Sequence, residues 1–141
     1  MPKVLWVIGA RRSFPVAAYL AYALQGLSKP VQLVGFTGAL HEGQLRGLRS
    51  RDALVAISFA PYADETLHAV HVARAVGAPV VSITDGAQSP IAAEARVNLV
   101  APDSTPLGFR ELTNAMTLAH SLFVALAFQL ESEGIAAAPN T

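Results

Sequence analysis

Four short apolar runs rich in β-branched residues, spaced by stretches with helical periodicity, constrain this chain more than any other feature. They are Val4–Ile8, Val31–Phe36, Ala53–Ile57 and Pro79–Thr84, with a weaker fifth at Val97–Val100. Each reads as a continuous run rather than an in-out alternation, the signature of strands covered on both faces. Between them, Pro15–Gln25 places Val16, Leu20, Ala23 and Leu24 at helical spacing. Asp64–Val76 opens with acidic residues and stops at Gly77, matching the charge bias and terminal glycine of a helix. Pro90–Ala95 reads as a short helix with Ser89 as its cap, and Gly108–Glu131 as a long helix apolar on much of its circumference. Strands alternating with helices imply a three-layer αβα sandwich around a five-stranded parallel sheet in flavodoxin-like order.

At 141 residues the chain suits a single domain. We read residues 1–133 as that domain and 134–141, a stretch of Ala, Pro and Asn without periodicity, as a flexible tail. Gly38–Arg51 reads as a loop with one helical turn. The chain begins almost at its first strand, as expected of a domain drawn from a longer protein and equally of a naturally short one. Only 14% of residues are charged, against roughly 25% in an average soluble domain, so part of the surface is expected to lie against a partner, foremost another copy. The long helix is expected to be buried on the sheet or on that partner. Ten basic residues balance ten acidic ones, which argues against DNA binding by this chain alone. There is no cysteine, so thiolate chemistry and disulfides are excluded and a cytoplasmic location is expected. No apolar stretch reaches membrane-spanning length without a polar break, and no membrane partner is expected.

Three turns following strands carry the chemistry. In Val7–Pro15 a strand ends at Gly9 and Ser13 stands where a helix begins, beside Arg11 and Arg12. Free amides and the helix dipole make such a turn an anion site, while a serine there also serves as an ordinary helix cap. In Ala56–Thr66 a strand ends at Ser58 before a turn and helix. In the expected strand order this turn neighbours the first, and ligands of open α/β sheets sit where the order reverses. In Ser82–Pro90, Thr84 and Asp85 close a strand and Ser89 opens a helix; Asp85 suits either sugar hydroxyls or local loop bonding.

These turns resemble those of the SIS (sugar isomerase) domain, and more closely the ligand-sensing SIS domain of RpiR-type transcriptional regulators. The resemblance is carried by Gly9–Phe14, by Ile57–Tyr62 with Glu65 and Thr66, and by Ile83–Asp85 with Ser89 and Pro90. It implies a phosphorylated sugar as ligand, held by the hydroxyls of Ser13 and Ser58 and by turn backbone. Arg12, Phe59, Ser89 and Asp85 complete our set of candidate phosphosugar-binding residues. It further implies a homodimer, with DNA contacted only through a helix-turn-helix domain not present in this sequence. Isomerase relatives carry a Ser-x-Ser-Gly-x-Thr loop; here Ala60, Pro61 and Ala63 replace its second serine, glycine and threonine, and Arg11 stands where many relatives have glycine. Either phosphate affinity is then expected to be weaker, or Arg11 or Arg12 supplies the charge instead.

An aldose–ketose isomerase, the competing reading, needs an acid–base residue. Glu111, His120, Glu94 and His41 are candidates, but none falls in a motif, so no catalytic residue is assigned. His68 and His71 stand one helical turn apart without a third ligand in the pattern, so no metal site is expected. No Walker loop or dinucleotide glycine pattern is present, and no cofactor is expected.

Overall fold

A computed structural model describes residues 1–102 and 111–134. The five apolar runs form strands β1 (Leu5–Gly9), β2 (Val31–Leu33), β3 (Ala53–Ser58), β4 (Val80–Thr84) and β5 (Val97–Val100). All pair in parallel in the order β2-β1-β3-β4-β5, as the sequence pattern implied. Among the described residues four α-helices connect or follow them: α1 (Phe14–Leu24), α2 (His41–Leu45), α3 (Asp64–Val76) and α4 (Thr113–Ser132). The long helix expected from Gly108 starts only at Thr113, since Glu111 and Leu112 are not helical; residues 108–110 and the tail from Ile135 lie outside the described residues.

The period of two along a strand divides the core into two halves. Leu5 and Val7 of β1, with Val55 and Ile57 of β3, face α1 and α4. Trp6 and Ile8, with Leu54 and Ala56, face Leu45 of α2 and the Ala69, Val70 and Ala73 side of α3. Both faces of β1 and β3 are therefore dry, which is why their sequences show no alternation. β2 and β5 are edges and only half-covered. β2 stops short of the expected Phe36 because the amide of Gly35 turns away to the Gln44 side chain, at 2.9 Å.

α3 ends where expected. Gly77 adopts φ 83°, a left-handed turn that suits glycine, and the amide of Ala78 closes onto the Ala73 carbonyl at 2.9 Å. The helix expected over Pro90–Ala95 shrinks to a 3-10 turn at Ala92–Glu94, capped by Ser89, whose hydroxyl accepts from the Ala92 amide at 3.3 Å. α4 is the longest helix, and by length and composition it is apolar enough to cross a membrane, at a mean hydropathy of 1.2. It is broken by Asn114, His120 and Gln129, and it packs on α1 and the sheet through Ala115, Ala119 and Leu130. Burial is partial along the rest of its length, and Phe128 is 69% exposed.

Gly9 fixes how closely α1 approaches the end of β1. A Cβ at this position would stand 2.8 Å from the Ser13 carbonyl oxygen and 3.0 Å from Ala17 Cβ. Since one of these neighbours is backbone, nothing soft can give way. Gly9→Ala is therefore expected to destabilise the fold by about 1–3 kcal/mol, measured as a lowered urea midpoint with an unchanged slope.

Candidate functional site

β1 and β3 pair in register from Leu5↔Ala53 to Gly9↔Ile57, so both leave the sheet at the same level of its carboxyl rim. After β1, Ala10 remains extended while Arg11 takes φ 53°, a left-handed conformation costing a non-glycine residue about 1–2 kcal/mol. That reversal starts a 3-10 turn over Arg11–Ser13, closed by the Ser13 amide on the Ala10 carbonyl at 3.0 Å. It delivers Ser13 to the head of α1. The Ser13 side chain is 3% exposed yet makes no cap bond to the helix. The ordinary reason for a serine here is thus missing.

β3 ends at Ser58, also 3% exposed. The chain then runs through Phe59 and a cis Ala60–Pro61 peptide to Ala63, where α3 starts without a side-chain cap. Ala10, Arg11, Arg12 and Ser13 of the first turn and Ser58, Phe59, Pro61 and Ala63 of the second line one cavity of about 190 Å³. Among the described residues, neither serine hydroxyl is committed to a hydrogen bond within the chain.

Arg12 joins the two turns. Its Nη2 donates to the Ala60 carbonyl at 3.1 Å, and its guanidinium lies over the Phe59 ring, 5.4 Å from the centroid. Arg11 leans the other way, 3.5 Å from the Glu65 carboxylate in the first turn of α3.

The third turn supports the second. Asp85 Oδ2 accepts the Ala60 amide at 3.0 Å, and Oδ1 accepts the Tyr62 hydroxyl at 2.6 Å and that of Thr84 at 3.3 Å. Burial pushes the Asp85 carboxyl up, but the Tyr62 hydroxyl, the amides of Ala60 and Asp85 and the Thr84 hydroxyl outweigh it and hold the group below its ordinary 3.8. Of the six candidates, Ser13, Ser58, Arg12 and Phe59 meet at the cavity, whereas Asp85 and Ser89 do not line it. Asp85 binds the loop and Ser89 caps the following turn. The Asp85–Tyr62 bond and the Arg12–Ala60 bond escaped the sequence reading because they join residues 23 and 48 apart.

None of the acid–base candidates lines this cavity. His120 is exposed on α4 with Nδ1 2.6 Å from the Tyr19 hydroxyl of α1. Glu94 pairs with His71 at 3.3 Å, and His41 sits against the Phe36 ring. His68 borders a separate recess with Glu42 and Arg46. Among the described residues, no three His, Asp or Glu side chains gather as a metal site. A larger recess of about 340 Å³, bearing Arg74, Glu94 and Arg96, opens at the amino ends of β4 and β5. There the carboxyl end of α3 and Glu94 oppose an anion, whereas the smaller cavity faces helix amino termini.

The sequence matches the SIS domain family over residues 2–128. The chain belongs to the SIS family. No match to a curated protein was found. The sugar isomerase domain of an RpiR transcription factor from Sphaerobacter thermophilus superposes with a TM-score of 0.84 at 24% identity, covering 91% of this chain and 72% of that one. The Vibrio vulnificus NanR protein complexed with ManNAc-6P superposes with a TM-score of 0.70 at 28% identity, covering 93% of this chain and half (50%) of that one. An Escherichia coli CFT073 protein, solved as a ligand complex, shares the SIS fold, with a TM-score of 0.77 at 22% identity over 96% of this chain and 73% of that one.

The role of Asp85 in this SIS domain is directly testable. A group whose folded pKa is lowered contributes stability above its unfolded pKa and loses it as pH falls through the folded value. Below pH 3.8 the loop over Phe59–Tyr62 is therefore expected to loosen. Asp85→Ala should bring the same change at neutral pH, seen as faster hydrogen exchange of the Ala60 amide.

Proposed function

We propose that this SIS domain binds a phosphorylated sugar, with the phosphate in the cavity between the turns after β1 and β3. One observation carries the reading: two buried serines, one in the turn after β1 and one at the end of β3, line one recess before the amino termini of α1 and α3. Hydroxyl donors, the positive ends of two helix dipoles and arginine charge suit a dianion. At about 190 Å³ the recess is smaller than the roughly 300–1,000 Å³ of a site enclosing a whole ligand. It fits the phosphate end, leaving the sugar at the mouth.

The domain then serves as the effector sensor of an RpiR-type regulator of carbohydrate metabolism. The likeness to NanR with its bound ManNAc-6P supports this reading. It acts in the cytoplasm as a homodimer, and DNA is contacted by a helix-turn-helix domain outside this sequence. The half-covered α4, with Phe128 exposed, offers the apolar surface for the second copy. The isomerase alternative finds no support in the cavity lining, where no acid–base candidate stands.

The test is a thermal-shift panel of hexose and pentose phosphates against the same sugars without phosphate, with turnover assayed in parallel. A ligand at a hundredfold excess over its Kd should add about 2.7 kcal/mol and raise Tm by about 5–10 °C. Turnover would contradict the sensor reading, and no response to any phosphate would contradict the site. Ser13→Ala and Ser58→Ala should each weaken binding by about 1–2 kcal/mol with little effect on folding, measured by calorimetric titration and urea unfolding.

A further inference from the structure

Arg11 is the anomaly of the site. Its backbone occupies the left-handed region at φ 53°, where glycine would sit without cost, yet it carries a long cationic side chain. Its neighbour Arg12 already gives one guanidinium nitrogen to the Ala60 carbonyl and lies over the Phe59 ring. Arg11 borders the same cavity, but its guanidinium is turned to Glu65.

That ion pair is built to be exchanged. Its separation is 3.5 Å, and the Arg11 side chain is 68% exposed. Pairs of this kind contribute little to stability. A phosphate offers Arg11 two parallel charge-assisted bonds in place of one long contact.

We propose that Glu65 occupies Arg11 in the empty domain as an internal stand-in for the ligand, and that phosphate displaces it. Arg11 then turns into the cavity and supplies charge that the replaced loop residues Ala60, Pro61 and Ala63 do not. Displacement releases the link between the β1–α1 turn and α3, so occupancy of the cavity changes how these two elements are coupled. This inference rests on the phosphosugar reading above, and its test separates the two.

The experiment is calorimetric titration of the full chain with arabinose-5P, ManNAc-6P and inorganic phosphate, at low and moderate salt. Parent, Arg11→Gln, Glu65→Gln and the double variant are compared, each with its melting curve. Arg11→Gln should weaken binding about tenfold, whereas Glu65→Gln should tighten it about three- to tenfold. A purely structural ion pair would make both variants weaker or leave both unchanged. In the double variant the gain from Glu65→Gln should vanish, since the competitor matters only while Arg11 is present. Parent binding with no gain in Glu65→Gln, or a gain that persists without Arg11, overturns the exchange and leaves the phosphosugar site standing. Failure of the parent to bind any of the three probes overturns the site itself.

Discussion

The parallel pairing of β1 with β3 is the constraint on which the rest depends. Five residue pairs from Leu5↔Ala53 to Gly9↔Ile57 bring two strands, separated in sequence by the β2 excursion, to the same height at the carboxyl rim. Both strands are buried on both faces, so a slip of one residue would exchange Val7 with Ile8 between two differently shaped half-cores. Register is thus fixed by packing, and the placement of the two serine-bearing turns follows from it. Gly9 sets the remaining dimension, the depth to which α1 can settle against the strand end.

On that frame the three turns divide their labour. The first two line the cavity, Ser13 from one and Ser58 from the other. The third faces the second, and its carboxylate holds the loop through the Ala60 amide and the Tyr62 hydroxyl. Asp85 thus fixes the shape of the Phe59–Tyr62 loop, as supporting bonds do around binding groups. Arg12 closes the same loop from the opposite side. The loop is therefore held through both the carbonyl and the amide of Ala60.

Much of this was legible in the sequence, and the limits have physical causes. The strands announced themselves because two covered faces leave no polar positions in Val4–Ile8 or Ala53–Ile57. α3 was read to the residue because its acidic start and Gly77 are local signals. Ser13 and Ser58 were legible as turn serines, and the strand order then placed them together. What stayed hidden depends on tertiary reach: the Asp85–Tyr62 bond, the bond from Arg12 to Ala60, and the left-handed backbone of Arg11. The helix read over Pro90–Ala95 is only the 3-10 turn at Ala92–Glu94, because the chain must extend again at Ala95 to enter β5. α4 was read as buried on the sheet or a partner, and the chain by itself covers only part of it.

The central claim is that a phosphate sits between the turns after β1 and β3. At 14.8 kDa the protein suits amide-resolved NMR titration, which reads the position of a ligand without altering any residue. Adding a phosphosugar that binds should move the amide signals of Arg11–Phe14 and Phe59–Glu65 first and furthest. Shifts centred instead on Gly77–Val80 and Glu94–Arg96, at the opposite rim of the sheet, would contradict the account.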